Sequence, residues 1–386
     1  MPLATPRTLL GLLVVCTTLL GLIDPASATP RPKTHKVRSG ESIQAALNSA
    51  SRGDRIVVES GTYAEQLNIT TDEISLVGRN AILIPPPTPL HNLCSGLAGK
   101  LPPNNVIETQ AGICIHGSNV QLNAFEREHR KVASVGQYVK GVSVTGFTIR
   151  GFLGLNIAIV GGEDTTISDN TLTDGAFYGA LTVGSKNSLI DHNTVNSSPP
   201  TPTNTFLPFI GVCMDDISTV NIKRNSISGY LIGLCVQTPG ANIHDNKVEN
   251  CCIGAFVDPG IVGAKLRDNV FKNTNPRCLD PAKSGSFLIY GIYIAGASET
   301  IVKDNKITGI TSGENQNLGG AGLVVNDDFP IEFGGTAKVG SGNRVTDNKV
   351  KRNDLDVYVG ATGQGNVVKD NRCDTSIPAN ICVKGD

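Results

Sequence analysis

A short pattern of polar and apolar positions recurs along the second half of the chain. It reads apolar, polar, polar, Asn, any residue, apolar, and its eight Asn positions are Asn170, Asn193, Asn225, Asn246, Asn269, Asn305, Asn348 and Asn371. Their spacings are 23, 32, 21, 23, 36, 43 and 23 residues, which is a base period of 21 to 23 with insertions. Val144 to Phe147 is a further copy with Phe147 in the Asn place. Such a period predicts a repeat fold in which each copy stacks on the last.

A second element lies between the Asn positions, and it is a glycine followed by alternating apolar residues. Its clearest copies begin at Gly211, Gly233, Gly254, Gly291 and Gly322. Three short strands with their turns account for about 22 residues per copy. We therefore predict a coil whose turns stack about 4.8 Å apart. We expect each repeat Asn to take the left-handed conformation at a corner and to bond the neighbouring rung.

The beginning of the chain predicts how this coil starts. One apolar helical stripe is formed by Ile43, Ala46, Leu47 and Ala50, and a helix of this kind can close the open first rung. With the segments 41–47, 53–58 and 61–65, the repeat resembles right-handed parallel β-helix proteins of the pectin-lyase-like class. The resemblance covers about residues 37–372. It implies an all-β, right-handed single-stranded parallel β-helix (solenoid) of about ten rungs with an N-terminal capping helix.

The N-terminus indicates export from the cell. Arg7 precedes a largely apolar segment from Leu9 to Ile23, and Ala26-Ser-Ala28 follows as a cleavage box, so we predict a signal peptide over residues 1–28. The apolar segment is shorter than the ~18 residues of a membrane span. We expect a secreted, extracellular protein whose single domain covers 29–386. Within it we predict a cap over about 37–66, a repeat core over about 141–372 and a tail over 373–386.

Composition and charge narrow the classes of partner. Lys+Arg number 33 and Asp+Glu 34, for a net charge of −1, and no basic stripe is present, which argues against nucleic acid as a partner. With 43 Gly and 39% hydrophobic residues, a helical bundle and a disordered chain are both disfavoured. We expect a monomer that binds a polysaccharide or another glycan, with no membrane partner.

Nine cysteines remain after Cys16 leaves with the signal peptide, so one thiol is left over. We predict bridges between Cys94 and Cys114, Cys213 and Cys235, Cys251 or Cys252 and Cys278, and Cys373 and Cys382. Two sequons, at Asn68 and Asn196, are predicted glycosylation sites in a eukaryotic host.

Alignment of the glycine-led strands predicts a column of outward side chains. Its members are Cys114, Ile159, Thr182, Cys213, Cys235, Phe256, Tyr293, Val324 and Tyr358. This apolar strip suits sugar stacking, and the glycines beside it would let a chain lie close to the backbone. The insertions that would form the walls of a groove are 117–139, 197–208, 274–288, 311–319 and 327–342. The alternative is that these loops simply cover the strip.

Polar residues that follow the strands supply the candidate chemistry. Asp215 and Asp258 lie two rungs, or about 9.6 Å, apart if both point the same way, near the upper limit for inverting glycoside hydrolysis. The catalytic candidates are Asp215, Asp216 and Asp258. The substrate-binding candidates are His116, Tyr178, Lys186, Gln237, Phe256, Tyr293 and Asn326. The candidate cofactor is Ca²⁺, with Asp327 and Asp328 as candidate ligands. The alternative for any of these Asp residues is that it only makes a turn.

These residues lead to a functional hypothesis. The resemblance implies a polysaccharide site on the strand face, and Met214-Asp-Asp216 resembles the paired aspartates of polygalacturonases. The companion Asn-Thr-Asp, Gly-His-Gly and Arg-Ile-Lys motifs of that family are absent from the sequence. We therefore predict a carbohydrate-active protein that cleaves a polysaccharide by hydrolysis or elimination. The alternatives are a non-catalytic glycan-binding or structural β-helix and an enzyme for a small secreted metabolite.

Overall fold

The short apolar strands of the repeat wind into two long parallel sheets. Each strand pairs in parallel with its counterpart one turn later, as in Val212 with Leu234 and Leu234 with Ala255. The interior is filled by apolar side chains that point inward from every face of the coil. This arrangement is a parallel β-helix.

One sheet has eleven strands, which give eleven rungs, and it carries the candidate site. Its strands are β4 (Leu67–Ile69), β6 (Ala111–His116), β11 (Leu155–Val160), β15 (Tyr178–Val183), β18 (Ile210–Met214), β21 (Ile232–Val236), β24 (Ile253–Val257), β27 (Ile289–Ala295), β30 (Gly320–Asn326), β33 (Leu355–Val359) and β36 (Ser376–Ile377). We call it the eleven-stranded sheet.

The remaining faces of the coil form a sheet of twenty-two strands. They are β1 (Thr34–Val37), β2 (Arg55–Val58), β3 (Gly61–Ala64), β5 (Ser75–Ile84), β10 (Ser143–Arg150), β13 (Thr166–Ser168), β14 (Thr171–Thr173), β16 (Ser188–Asp191), β17 (Thr194–Asn196), β19 (Val220–Lys223), β20 (Ser226–Ser228), β22 (Asn242–His244), β23 (Lys247–Cys251), β25 (Lys265–Arg267), β26 (Val270–Thr274), β28 (Ile301–Lys303), β29 (Lys306–Thr308), β31 (Arg344–Thr346), β32 (Lys349–Lys351), β34 (Val367–Lys369), β35 (Asn371–Arg372) and β37 (Cys382–Val383).

Two further strand pairs and a 3₁₀ helix lie outside these two sheets. β7 (Ser118–Glu126) and β8 (His129–Gln137) form an antiparallel hairpin. β9 (Val139–Lys140) pairs in parallel with β12 (Gly162–Glu163). A 3₁₀ helix spans Pro276–Leu279.

The computed structural model describes Met1 and residues 31–99, 108–126, 128–199, 207–215, 217–279, 288–313, 319–328 and 337–383. The chain divides into two units, Met1–Arg31 and Pro32–Asp386, and the second is the β-helix. The predicted signal peptide lies outside the described residues except for Met1, and Asp216 also lies outside them. Among the helices in the described ranges, none is long and apolar enough to cross a membrane.

The predicted capping helix is present as α1 (Ile43–Ser49). Ser42 is its N-cap, and the hydroxyl oxygen of Ser42 accepts a hydrogen bond from the Ala45 N–H at 3.1 Å. The Glu65 carboxylate accepts from the Ile43 and Gln44 N–H groups at 2.9 and 3.0 Å. Ile43 and Leu47 are buried against the first rungs, so the apolar stripe closes this end of the core.

The eight repeat Asn side chains form a buried ladder along one corner of the coil. The Asn246 Nδ2 group donates to the Asn269 Oδ1 at 3.0 Å and to the Ile222 carbonyl of the preceding rung at 2.9 Å. The Asn246 Oδ1 in turn accepts from the Asn225 backbone N–H and from the Asn225 Nδ2, both at 3.0 Å. The ladder begins at Phe147, whose N–H donates to the Asn170 Oδ1 at 3.0 Å. Each Asn from Asn170 to Asn348 therefore joins three rungs, and Asn371 ends the ladder.

We expected the Asn to take the left-handed conformation at each corner. In the structure the residue before the Asn takes it instead. These residues have φ values between 53° and 62°, and they are Asp169, His192, Arg224, Asp245, Asp268, Asp304, Asp347 and Asp370. The left-handed residue turns the chain so that the following Asn side chain points inward to its ladder partners. Asp is common here because a short polar side chain tolerates this conformation better than most residues do.

The glycines of the eleven-stranded sheet face the interior, so they do not make room for a ligand as the sequence suggested. A Cβ atom on Gly211 would lie 2.6 Å from the Ile227 Cγ2 and 2.7 Å from the Gly233 carbonyl oxygen. These distances are shorter than van der Waals contact. Close approach between rungs and core side chains thus requires glycine at this column.

We expect Asn246→Ala to lower the free energy of unfolding by about 3 kcal/mol, because it leaves buried polar groups of neighbouring rungs without partners. Urea unfolding followed by circular dichroism measures this loss. The control is Asn123→Ala on the exposed face of β7, which should change stability by less than about 0.5 kcal/mol. Equal losses in the two variants would contradict the structural role of the ladder.

We expect Gly211→Ala to lower the free energy of unfolding by about 3 kcal/mol through overpacking against the next rung. Gly240 offers a comparison, because its φ is +67° but nothing lies within 4 Å of an added Cβ. Gly240→Ala should cost only the backbone strain of about 1 kcal/mol. The same urea titration compares the two variants, and a larger loss at Gly240 would exclude the packing explanation.

Candidate functional site

The register of the eleven-stranded sheet corrects two members of the predicted outward column. Cys213, Cys235, Phe256 and Tyr293 are paired in this column as expected. In β11 and β15, however, the outward residues are Ala158 and Leu181, whereas Ile159 and Thr182 fall in the inward column. The predicted column is therefore shifted by one residue in these two strands. The reason is that Gly161 and Gly184 lie in the left-handed turn after each strand and are not in line with His116, which pairs with Val160.

The N-terminal half of this outer face is covered. Leu97 and Val132, from the 85–99 excursion and from β8, pack on the strands together with Cys94, Ala98, Leu122 and Val135. Beneath them Cys114, Ala158 and Leu181 are at most 1% exposed. In this half, therefore, inserted segments cover the face, which is the alternative that the sequence left open.

Further along the same face an aromatic strip is partly open to solvent. It consists of Phe256 on β24 and of Tyr290 and Tyr293 on β27, and all three are half-buried. The ring centroids of Phe256 and Tyr293 are 5.3 Å apart, and those of Tyr290 and Tyr293 are 4.9 Å apart. Three rings in contact across two rungs give a continuous apolar platform.

Two carboxylates meet where the covered half gives way to the aromatic strip. The Gln237 Nε2 group donates to the Glu128 Oε2 at 3.0 Å and to the Asp258 Oδ2 at 2.9 Å. We call Glu128 and Asp258 the acid pair. Burial and the neighbouring Glu128 carboxylate raise the pKa of Asp258 well above its usual range. One amide thus holds two carboxylates in a polar group that is largely withdrawn from water.

The sequence did not identify Glu128 as a site residue. It lies at the turn of the β7–β8 hairpin and reaches Gln237, which is 109 residues away along the chain. The hairpin interrupts the repeat, so no period or column assigns a position to this residue. Only the length of the 117–139 insertion gave a sign that this segment lies near the site.

Asp215, predicted as catalytic, is fully buried and serves the turn after β18. The Asp215 carboxylate accepts hydrogen bonds from the Gly184 N–H at 3.1 Å and from the Ser218 hydroxyl at 2.6 Å. These contacts are those of a carboxylate that closes a turn. The position does not support contact with a substrate, whereas Asp258 does reach the half-exposed face.

The other predicted binding residues do not gather at one place. Tyr178 is fully buried, and its hydroxyl lies 3.1 Å from the His129 Nδ1. The Lys186 Nζ lies 4.2 Å from the centre of the Tyr138 ring. The His116 Nδ1 donates to the Gly117 carbonyl at 2.6 Å. Asn326 is half-buried at the end of β30, so Gln237, Phe256 and Tyr293 are the predicted binders that the structure brings together with Asp258.

Of the two predicted calcium ligands, Asp327 has structural hydrogen-bond partners. The Asp327 carboxylate accepts from the Gly340 N–H at 2.9 Å and from the Thr362 hydroxyl at 2.6 Å. These hydrogen bonds lower the pKa of Asp327 against the opposing effect of burial. The Asp328 N–H donates to the Lys338 carbonyl at 2.8 Å. Ca²⁺ takes six to eight oxygen ligands, and the contacts of Asp327 provide hydrogen-bond donors instead.

Three of the four predicted disulfides are formed: Cys94–Cys114, Cys252–Cys278 and Cys373–Cys382. The fourth, between Cys213 and Cys235, is absent, and these two thiols and Cys251 are free and buried. Directly paired residues on parallel strands keep their Cβ atoms at about the strand spacing of 4.8 Å. A disulfide needs Cβ atoms about 3.5–4.5 Å apart, so direct pairing in the sheet does not favour a bridge between these two cysteines. Burial raises the pKa of the Cys213 thiol to about 11.

The two predicted glycosylation sites lie in strands. The Asn68 Oδ1 is buried in β4 without a hydrogen-bond partner, and the Asn196 Oδ1 accepts from the Thr173 hydroxyl at 2.7 Å. Glycosylation at these positions remains a prediction.

The raised pKa of Asp258 sets the direction of one pH effect on stability. Between the unfolded pKa of about 3.9 and the raised folded pKa, the folded state holds more protons than the unfolded state. Stability therefore falls as pH rises through this range. We expect Asp258→Asn to stabilise the protein at pH 7 and to have no such effect below pH ~3.5. Urea unfolding at both pH values measures the change in stability. An equal change at the two pH values would contradict the raised pKa of Asp258.

Comparisons with known proteins agree with this architecture. A family model described as "Periplasmic copper-binding protein (NosD)" matches residues 104–284. The exopolygalacturonase of family 28 from Yersinia enterocolitica superposes with a TM-score of 0.53 and 12% identity, over 90% of this chain and 78% of that chain. The A-module of the Azotobacter vinelandii mannuronan C-5 epimerase AlgE4 gives 0.49 and 12%, over 89% and 95%. No curated protein matches the sequence. The chain therefore shares the fold of these proteins, a right-handed parallel β-helix.

Proposed function

We propose that this protein acts on a polysaccharide, which it binds along the exposed half of the eleven-stranded sheet. The observation that carries the proposal is the acid pair, held by the Gln237 amide, at the edge of the aromatic strip. Carbohydrate sites combine an apolar platform with a few well-placed polar groups. The exopolygalacturonase with the same fold is a precedent for such a substrate on this architecture.

The aromatic strip supplies the platform for sugar rings. Tyr293 contacts both Phe256 and Tyr290, so the three rings extend over two successive rungs. The C–H face of a sugar ring is apolar and packs on an aromatic face, while the sugar hydroxyls remain free for polar partners. A chain that lies along the stacked rungs would place one sugar on the strip and the next beside Asp258.

Asp258 is the residue that we assign to the chemistry. It follows β24 directly, two positions after Phe256, and it reaches the half-exposed face beside the strip. Glu128 shares the Gln237 amide with Asp258, so the amide fixes both carboxylates relative to the face. Carboxylates act in glycoside hydrolysis as acid, base or nucleophile. We propose cleavage of a glycosidic bond at Asp258, with Glu128 and Gln237 positioning it.

The protein works outside the cytoplasm in this proposal. Three disulfides join its loops and tail to the β-helix, and such bonds persist in oxidising compartments. The matching family model is described as periplasmic. The signal peptide predicted over residues 1–28 gives the route of export.

The proposal is tested with a panel of neutral and acidic polysaccharides, measuring both retention of the glycan and release of products. We expect Tyr293→Ala to weaken binding about tenfold, since an aromatic contact contributes on the order of 1 kcal/mol. Asp258→Asn should keep binding and lose at least about 99% of product release.

The matched control is Phe125→Ala, an exposed aromatic of the hairpin that lies beside Gly99 and outside the strip. It should leave both binding and product release unchanged. Retention without product release in the wild-type protein would overturn cleavage and favour the non-catalytic alternative. Product release that survives in Asp258→Asn would remove Asp258 from the chemistry.

A further inference from the structure

A cleft of about 440 Å³ lies on the outer face of the twenty-two-stranded sheet, a different sheet from that of the acid pair. It crosses four successive rungs, at β13, β16, β19 and β22. On the last three of these strands Ile190, Ile222 and Ile243 point into the core. The residues on either side of each Ile therefore point outward, and they form the two columns that build the cleft.

The first column gives the cleft an apolar floor between polar groups. Leu189 pairs with Thr166 on the preceding rung and with Asn221 on the following one, and it is the single apolar side chain among the described residues that line the cleft. Asp164 and Asn187, each in a left-handed turn, supply the acidic end. The Asn187 Nδ2 donates to the Asp164 Oδ1 at 2.6 Å. An apolar surface with a few fixed polar groups is typical of a small-molecule site.

The second column places three basic side chains on successive rungs. Lys223 pairs in register with His244, and His244 pairs with Arg267. The His244 Nδ1 lies 2.7 Å from the carboxylate of Asp245. Within the described ranges Lys223 and Arg267 form no ion pair, so this end of the cleft carries positive charge without a bound carboxylate.

The acid that faces Lys223 is already engaged elsewhere. Asp191 is the in-register partner of Lys223, but its Oδ1 accepts from the Arg224 Nε at 2.9 Å. Against the effect of burial, the Arg224 guanidinium lowers the pKa of Asp191, and the charge of Lys223 contributes less. The Lys223 ammonium therefore keeps its hydrogen-bond donors for another anion.

A relay of hydrogen bonds orients one further donor. The Arg267 Nη2 donates to the Asn242 Oδ1 at 3.0 Å, and the Asn242 Nδ2 donates to the Asn221 Oδ1 at 2.7 Å. Because the Asn221 oxygen is used, its Nδ2 group is the part of this side chain that can serve a ligand. The cleft thus has donors and positive charge at one end and acceptors at the other.

We propose that this cleft binds a sugar unit that carries a carboxylate, as a second glycan site. The Lys223 Nζ and the Asn221 Nδ2 donate to the carboxylate, in charge-assisted hydrogen bonds. Leu189 packs on the apolar C–H face of the sugar ring, and the free oxygens of Asp164 and Asn187 accept from its hydroxyls. A simple inorganic anion fits less well, because the Asp164 carboxylate would repel it. The site holds a glycan and breaks no bond, so it goes beyond the proposed cleavage at Asp258.

The test uses the purified full chain with the substitution Tyr293→Ala, which weakens any sugar binding at the aromatic strip. The probes are methyl β-D-glucuronide and methyl β-D-glucoside, which differ only in a carboxylate against a CH₂OH group. Ligand-observed NMR titration measures both affinities. We expect a Kd on the order of 1 mM for the glucuronide, as for a small ligand, and binding of the glucoside at least about tenfold weaker.

Two further substitutions are introduced into the same background. Lys223→Gln removes the charge and should weaken glucuronide binding about tenfold or more. Asn221→Asp keeps the acceptor for Asn242 but places a negative charge beside the bound carboxylate, so it should weaken the glucuronide and spare the glucoside. The matched control is Lys306→Gln, an exposed lysine of β29 beyond the Asn corner, which should leave both affinities unchanged.

The inference is overturned by absence of saturable glucuronide binding, by equal affinities for the two probes, or by unchanged affinity in Lys223→Gln. An equal loss in Lys306→Gln would also contradict it, since general attraction to surface lysines would then explain the binding. If Lys223→Gln does not fold, Asn221→Asp decides. No product release is measured and the aromatic strip is already altered, so failure of this site and failure of the proposed function are distinguishable.

Discussion

The hydrogen bonds between successive Asn side chains fix the structure from rung to rung. An amide buried with at most 2% exposure must find partners for both its N–H₂ group and its oxygen. In this chain the amides from Asn170 to Asn348 find them on the rungs before and after, at about 3.0 Å. A slip by one residue would turn every Asn away from these partners and every apolar residue away from the core. The ladder therefore fixes the register of the whole coil.

A fixed register makes neighbours of residues that are far apart in sequence. Cys213 and Cys235, and then Phe256 and Tyr293, follow one another down a single outward column because each strand repeats the register of the last. The same constraint decides what such neighbours can do. Directly paired side chains on parallel strands stay about 4.8 Å apart, which suits stacked rings better than a disulfide.

The sequence was sufficient to predict the features that follow from regular spacing of residue types. The recurrence of Asn170 and its successors predicted the coil and the ladder, and the apolar stripe around Ile43 predicted the cap. Local turn geometry was harder, because the residue before each Asn, not the Asn, takes the left-handed conformation. In β11 and β15 the same kind of turn, at Gly161 and Gly184, shifted the predicted outward column by one residue. Asp215, like Asp258, follows a strand of the sheet, and only its hydrogen bonds with Gly184 and Ser218 reveal its role in a turn.

The insertions explain why the site lies in the middle of the sheet. The repeat alone leaves the outer face uniform, so no rung differs from the next in access to solvent. The 85–99 excursion and the β7–β8 hairpin cover the early rungs, and Glu128 lies at the turn where the hairpin ends. At that boundary side chains are withdrawn from water on one side and reachable on the other. Only there can a buried thiol, a carboxylate with a raised pKa and a half-exposed aromatic ring adjoin one another. The repeat thus determines the columns, and the irregular segments determine which part of a column can do chemistry.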